Sequence, residues 1–353
     1  MLVAVLDTPV SVRVPDDLVA EVTSALVDVL VLHGGRPARE LVLEDHSDGR
    51  VRLLDDGEVV LSRTDRELGV ASLVWRLNAV ATCTTDHVVL HAGCVATPRG
   101  GVVLPGASGA GKSTLTGAAV TDGFGYLADE HAALSLHTGM LVAYPKPLDL
   151  GDLGLVPASV LRPGSVAASC APLAAVFPRY AAGSATEVVA LDTPTALLAL
   201  CAQATNLPGV GAEGFAALAG LAEAVPACQV TYSTTADAIR LLEAVVDTAP
   251  PAGAVVPATL ARAVTPTTTT VILDDGSVVV LDALTWAVHR LNPGAGLVWL
   301  CAATTPDRDD LRELVLAEAP CGALDETHVG STIDHLAAIG LLPPAPIPAG
   351  RHG

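Results

Sequence analysis

Nine consecutive residues, Gly106-Ala107-Ser108-Gly109-Ala110-Gly111-Lys112-Ser113-Thr114, carry the spacing G-x-x-x-x-G-K-[ST] without a gap. Backbone N–H groups in such a loop cradle nucleotide phosphates. Its glycines allow positive φ and a close approach to the phosphates. A helix opening after the loop adds partial positive charge where the phosphates sit. Lys112 is then expected to reach the outer phosphates of ATP, and the Ser113 hydroxyl to ligate Mg2+. Lys112 and Lys146 are the only lysines among nineteen basic residues. A chain that otherwise uses arginine places a compact point charge in this loop.

A loop of this kind grips a nucleotide without choosing a reaction, so groups that orient a nucleophile must stand nearby. Asp129 and Glu130 end the apolar run Tyr126-Leu127-Ala128, and His91 ends the run Val88-Val89-Leu90. If both runs are strands, these side chains sit at strand tips, the edge of an open α/β sheet that faces a ligand crevice. One carboxylate can accept a hydroxyl proton while the other holds magnesium. The alternative for the acidic pair is an exposed turn, and for His91 a satisfied structural histidine. Lys146 lies between Pro145 and Pro147, which stiffen its backbone; it reads either as a phosphate clamp or as a solvated loop lysine. Arg162 and Arg179 are weaker candidates of the same kind.

The elements needed to hold these groups can be read around them. Residues 101–104 read as a buried strand feeding the loop and 114–120 as the helix leaving it. Before them, 1–85 reads as a small α+β domain. It has a strand at 10–14 and a helix opened by Pro15-Asp16-Asp17 that ends near Gly34-Gly35. A hairpin over 51–61 follows, turning at Asp55-Asp56-Gly57, and then a helix over 67–79. A nucleotide-binding domain spans 86–247, with later strands at 174–177 and 187–190 and helices over 194–204, 215–224 and 235–246. Residues 248–270, rich in Pro, Ala and Thr, read as a flexible linker. The last unit, 271–343, reads as three short strands followed by three helices, closed by Gly340 at a C-cap; 344–353 is a tail.

Composition removes several function classes. A net charge of −19 opposes a nucleic-acid surface and binding to anionic membranes. Half the residues are apolar while aromatics make up 3%, so Ala, Val and Leu must pack the core. The chain contains no run of eighteen apolar residues, and Asp7 stands where a secretory signal needs a basic region. Seven cysteines, odd in number and without C-x-x-C spacing, suit a reducing cytoplasm better than a disulfide or metal framework.

Three blocks together, His91-Ala92-Gly93-Cys94-Val95, residues 106–113, and Gly123-Phe124-Gly125-Tyr126-Leu127-Ala128-Asp129-Glu130, resemble the core of HPr kinase/phosphorylase. The resemblance is concentrated in 88–150 and implies a phosphoenolpyruvate-carboxykinase-like α/β P-loop fold that phosphorylates a serine hydroxyl with ATP. On it, Asp129 takes the place of the catalytic base, Glu130 replaces a second Asp as metal ligand, and His91 matches the active-site histidine. The family's later glycine-rich signature has no counterpart. Tyr144-Pro145-Lys146-Pro147-Leu148 is similar instead to HPr-kinase-related proteins found with ribosomally made peptide natural products, including lasso-peptide tailoring kinases. Residues 271–343, with Leu291-Asn292, Trp299 and Gly340-Leu341-Leu342, resemble winged-helix-like PqqD-type peptide-recognition domains. Such domains bind a leader peptide as an added strand. The expected function is thus ATP-dependent phosphorylation of a Ser or Thr on a precursor peptide in the cytoplasm. Other tailoring enzymes are expected partners, and homo-oligomerisation is left open. The alternatives are a non-catalytic, nucleotide-dependent leader-binding scaffold and a kinase for a small hydroxyl metabolite.

Overall fold

The computed structural model describes residues 1–31, 36–46, 48–305, 307–319 and 324–343. The expected helix end at Gly34-Gly35, the tail 344–353 and Cys321 lie outside them. No helix among the described residues is long and apolar enough to cross a membrane. The six other cysteines are unpaired, and four of them are buried.

The N-terminal part is one sheet in sequence order, formed by β1 (Leu2–Val5), β2 (Thr8–Arg13), β3 (Arg39–Asp45), β4 (Val51–Asp55) and β5 (Glu58–Thr64). The helix expected after Asp16-Asp17 is shorter than its apolar spacing suggests. It is α1 (Val19–Ala25), flanked by two 3-10 turns, and the apolar stripe Leu18, Val22, Leu26 and Val29 runs through all three pieces and is buried throughout. The β4–β5 hairpin turns where expected, with Asp56 and Gly57 both at positive φ. Helix α2 (Arg66–Thr82) starts on an Asp65 side-chain cap and covers the sheet with Leu73, Val74 and Leu77. Asp55, 4% exposed, takes the guanidinium groups of Arg39 and Arg76 and so ties α2 to the sheet. Both guanidinium groups outweigh the effect of burial and hold the Asp55 carboxyl below its usual range.

The central part opens with β6 (His87–Leu90), β7 (Ala92–Thr97), β8 (Gly100–Pro105), α3 (Lys112–Asp122) and β9 (Gly125–Ala128). It continues through β10 (Ala132–Ser135), the short β11 (Leu141–Val142), β12 (Leu148–Asp149) and β13 (Leu155–Val156), and the one-turn α4 (Ala158–Leu161). Then come β14 (Pro172–Tyr180), β15 (Glu187–Ala190), α5 (Thr193–Gln203), α6 (Leu207–Ala224), β16 (Ala227–Tyr232) and α7 (Thr235–Thr248). A six-stranded mixed sheet runs β15-β16-β14-β8-β7-β9, in which β8, β14 and β16 are parallel neighbours. Val102 and Leu104 pack with α3 and α7 on one face, while Val103 packs with α5 and α6 on the other. This two-sided burial is what a parallel core requires. Strand β16 falls between two expected helices, where the sequence reading assigned nothing. Its alternation of Cys228, Val230 and Tyr232 with half-buried neighbours is the period-2 signal of a strand.

The expected hairpin and helices of the last part are present as β17 (Thr268–Ile272), β18 (Val278–Asp282), β19 (Ala287–Leu291), α8 (Pro293–Ala302), α9 (Arg308–Glu318) and α10 (Glu326–Ala338). Asn292 caps α8 and Gly340 follows α10 at φ +80°. The sheet is buried on both faces. Val278, Val280 and Leu291 face its own helices, while Val271, Leu273, Val279 and Leu281 join the central core beside α5 and α6. The segment expected to be a flexible linker differs for the same reason. Val255 is 5% exposed and its N–H donates to the Gly139 carbonyl; the Ala258 N–H donates to Ala216; Leu260 bridges Val271. A Cβ on Gly220 of α6 would lie 2.1 Å from the Val256 carbonyl oxygen, so the helix admits this strap only with a glycine there.

Candidate functional site

Sheet direction brings the sequence-distant groups to one edge. Strand β7 is antiparallel to β8, and β9 is antiparallel to β7, so β8 and β9 point the same way. Gly106 follows β8, Asp129 follows β9, and His91 immediately precedes β7 at that same edge. The Gly106 N–H donates to the His91 carbonyl at 3.3 Å. Tyr180 and Tyr232 end β14 and β16 at this edge too, packed edge to face beside the loop.

Within the loop, Gly109 and Gly111 have φ of +80° and +88°. Gly111 precedes α3 without offering a side-chain cap, so the first-turn N–H groups are left for water or an anion. A Cβ at Gly111 would meet the Tyr232 hydroxyl at 2.6 Å, a second reason for glycine. The Lys112 ammonium, 5% exposed, folds back to donate to the Ala107 carbonyl at 2.9 Å. Burial lowers its pKa, and Asp129 and Glu130 partly restore it. A second buried cation, Lys146, donates to Glu130 Oε2 at 3.5 Å and to the Pro147 carbonyl at 3.3 Å. It is 2% exposed, which removes the solvated-loop reading. Tyr144, paired with Leu127 beside β9, and the Tyr126 hydroxyl, donating to the Lys146 carbonyl at 2.6 Å, hold it there.

Asp129 is fully buried, and neither carboxylate oxygen has a hydrogen-bond partner of normal geometry. Burial raises its pKa; Lys146, the nearby Ser113 hydroxyl and Lys112 pull it partly back, while Glu130 adds to the rise. Glu130 has φ +61°, the left-handed region a glutamate rarely adopts. That backbone turn aims Asp129 inward and leaves the Glu130 side chain 40% exposed on the cavity. The His91 pKa is lowered by burial and by Lys112, with Glu130 opposing.

The buried, unpartnered Asp129 oxygens beside the Ser113 hydroxyl are hard oxygen donors that suit magnesium. Among the described residues no group of three or more His, Cys, Asp or Glu could hold a metal alone. An ion here would therefore draw its remaining ligands from phosphate oxygens and water, the usual situation for Mg2+. Glu130 is already paired with Lys146, which leaves Ser113 and Asp129 as the better-placed protein ligands. Arg162 is removed from this set: its guanidinium donates to the carbonyls of Val120, Gly123 and Phe124 and closes the end of α3. Arg179 is exposed at the end of β14.

Two residues that the sequence reading did not single out belong to the site. Trp75 of α2, 67% exposed, faces Glu130 across the cavity. His131, next to Glu130, stands edge-on to Tyr144 with Nδ1 buried and unpartnered. Burial, with Lys146 and His91, lowers its pKa from 6.5 to about 3. A histidine depressed in the fold is neutral there while the unfolded chain takes up a proton, so stability present above pH 6.5 falls as the pH drops toward about 3. His131→Phe is expected to flatten that acid-side loss in urea-denaturation midpoints measured against pH; an unchanged slope would show that His131 contributes nothing to it.

Comparison with family models, with curated proteins and with solved structures finds no match for this chain.

Proposed function

We propose that the protein is an ATP-dependent kinase that phosphorylates a serine or threonine hydroxyl on a ribosomally made precursor peptide, with the α/β P-loop core as the catalytic part. The observation that carries this reading is the buried, unpartnered Asp129 carboxylate beside Ser113 and Lys112 at the tip of β9. A carboxyl whose pKa burial raises above the ordinary carboxylate value is a stronger proton acceptor once ionised. The acceptor oxygen forms a bond to the γ-phosphorus, the bond from that phosphorus to the bridging oxygen breaks, ADP leaves, and the hydroxyl proton passes to Asp129. Lys112 and Lys146 supply fixed positive charge where the transferring group becomes more negative. Ser113 with Asp129 or Glu130 would hold magnesium, which when bound would supply neutralising positive charge to the phosphates. His91, kept neutral by burial, is placed to donate or accept a hydrogen bond at the loop.

Peptide recognition rests on the resemblance of 271–343 to leader-binding domains, and β19 supplies the strand edge that such binding uses. The test is transfer of labelled γ-phosphate to a cognate peptide. Lys112→Ala is expected to slow it by about 10²- to 10³-fold, the scale of removing one preorganised electrostatic contact. The scaffold reading makes the opposite forecast: no transfer by the wild type, with leader binding that depends on nucleotide.

A further inference from the structure

A groove runs along the exposed side of α2, between the N-terminal and central parts. Two cavities of about 320 and 340 Å³ lie end to end in it and share Trp75, Asn78 and Glu130. On the helix side the lining includes Leu68, Ala71, Trp75, Asn78 and Thr82 at helical spacing, with Ser72, Val74 and Ala79 beside them. Opposite stand His91, Glu130, Lys146 and Asp149. Residues 68–82 of a helix extend about 21 Å, the span of about six residues of extended chain. A further cavity of about 490 Å³ continues past Asp149 and Leu155, where Glu21 and Glu67 join the wall.

The geometry points to this groove as the acceptor site, taking an extended peptide that lays its Ser or Thr beside Glu130, an adjoining side chain on the Trp75 ring, and a lysine or arginine at the Asp149 end. The inference rests on the phosphoryl-transfer reading above and specifies its substrate. Length selects the occupant, because a small hydroxyl metabolite would fill only one of the two shared cavities. Position selects it as well. Lys146 and Glu130 form part of the groove wall and also approach Asp129, so a chain lying in the groove passes the transfer site. The helix beneath Trp75 is held from behind, since Arg76 on its inner side is locked to the buried Asp55. An exposed indole is a common anchor for a bound chain. Charge favours a basic flank at the end where Asp149, Glu67 and Glu21 gather.

The experiment uses the full chain with γ-labelled ATP and three probes: a position-scanning peptide library with a single serine, free serine, and glycerol. Wild-type protein is expected to label the library with enrichment of Lys or Arg on one side of the serine, and to label the two small alcohols far more slowly. Trp75→Ala is expected to raise the peptide KM at least about 10-fold with little change in kcat, as for loss of an anchoring tryptophan, while Trp75→Phe restores most of the affinity. Because Trp75 is exposed, both variants should keep the wild-type melting temperature, which is checked in the same samples. Equal labelling of peptides and small alcohols, an absence of positional preference, or a Trp75→Ala variant with unchanged KM would overturn the groove assignment while phosphoryl transfer stood. A wild-type protein that labels none of the probes would overturn the groove assignment, while phosphoryl transfer is overturned only if the cognate peptide also goes unlabelled.

Discussion

An Asp129→Asn variant is expected to transfer phosphate about 10²- to 10⁴-fold more slowly than wild type, the usual contribution of a positioned proton acceptor, and at the same time to melt at a higher temperature without ligand. The two effects share one cause. The Asp129 carboxyl is fully buried without a hydrogen-bond partner, and burial raises its pKa. A carboxyl raised in the fold is stabilising while protonated. That contribution is lost as the pH climbs from the ordinary carboxylate value through the raised one, so above the raised value the ionised group opposes folding. Asparagine keeps the shape and removes the charge. The variant should therefore show a flatter dependence of melting temperature on pH, and a smaller gain in melting temperature from Mg-ATP than wild type shows. If the variant retains full transfer, Asp129 is not the base. If transfer returns at raised magnesium concentration, its role is to hold the ion beside Ser113. A variant that melts lower at neutral pH would show that the buried carboxylate has a compensating partner.

The parts of this site that were legible in the sequence are those whose function depends on local backbone. Gly109, Gly111 and Lys112 announce themselves because a phosphate-cradling turn needs glycine at fixed offsets and a helix directly after it. Asp129 and His91 could be placed by one further step, that a polar residue ending an apolar run sits at a strand tip. Lys146 could not be resolved in the same way. Its burial depends on Tyr144 pairing alongside β9 and on the Tyr126 hydroxyl reaching its carbonyl, contacts set by tertiary packing. Trp75 lies in another part of the chain. Its only signal was a tryptophan on the polar side of an amphipathic helix, between the buried Leu73, Val74 and Leu77. His131 carried the signal of following an acidic pair directly. The strap at 248–267 was misread because composition rich in Pro, Ala and Thr describes both a free tether and a chain pinned by a few backbone hydrogen bonds. Val255, buried in mid-strap, and the glycines at 139 and 220 separate the two.

That strap and the sheet it leads to set the other large expected effect. Val271, Leu273, Val279 and Leu281, each 2% exposed or less, close the central core over α5 and α6. Leu281→Ala is expected to cost about 2–5 kcal/mol of stability, the range for truncating a packed core leucine. Ile272→Ala, at a position 46% exposed in the same sheet, should cost well under about 1 kcal/mol. Removing 271–353 uncovers the whole face at once, so the shortened chain should aggregate or melt far below the full one. Loss of transfer on such truncation would then report collapse of the core as well as loss of peptide recognition. Arg290 of β19 paired with Asp192 at the start of α5, and the Asp274 N–H donating to Glu223, fasten the sheet at the end where β17 turns into β18. On the proposed function, a leader on β19 would therefore sit at a fixed distance from the 106–111 loop, and spacing in the substrate would have to supply the reach that a loose tether would have given. Urea denaturation of the two single variants decides the first step of this argument. Equal midpoints for Leu281→Ala and Ile272→Ala would mean that the sheet is only loosely attached, and a truncated chain melting at the full-length temperature would return 248–270 to the role of a flexible linker.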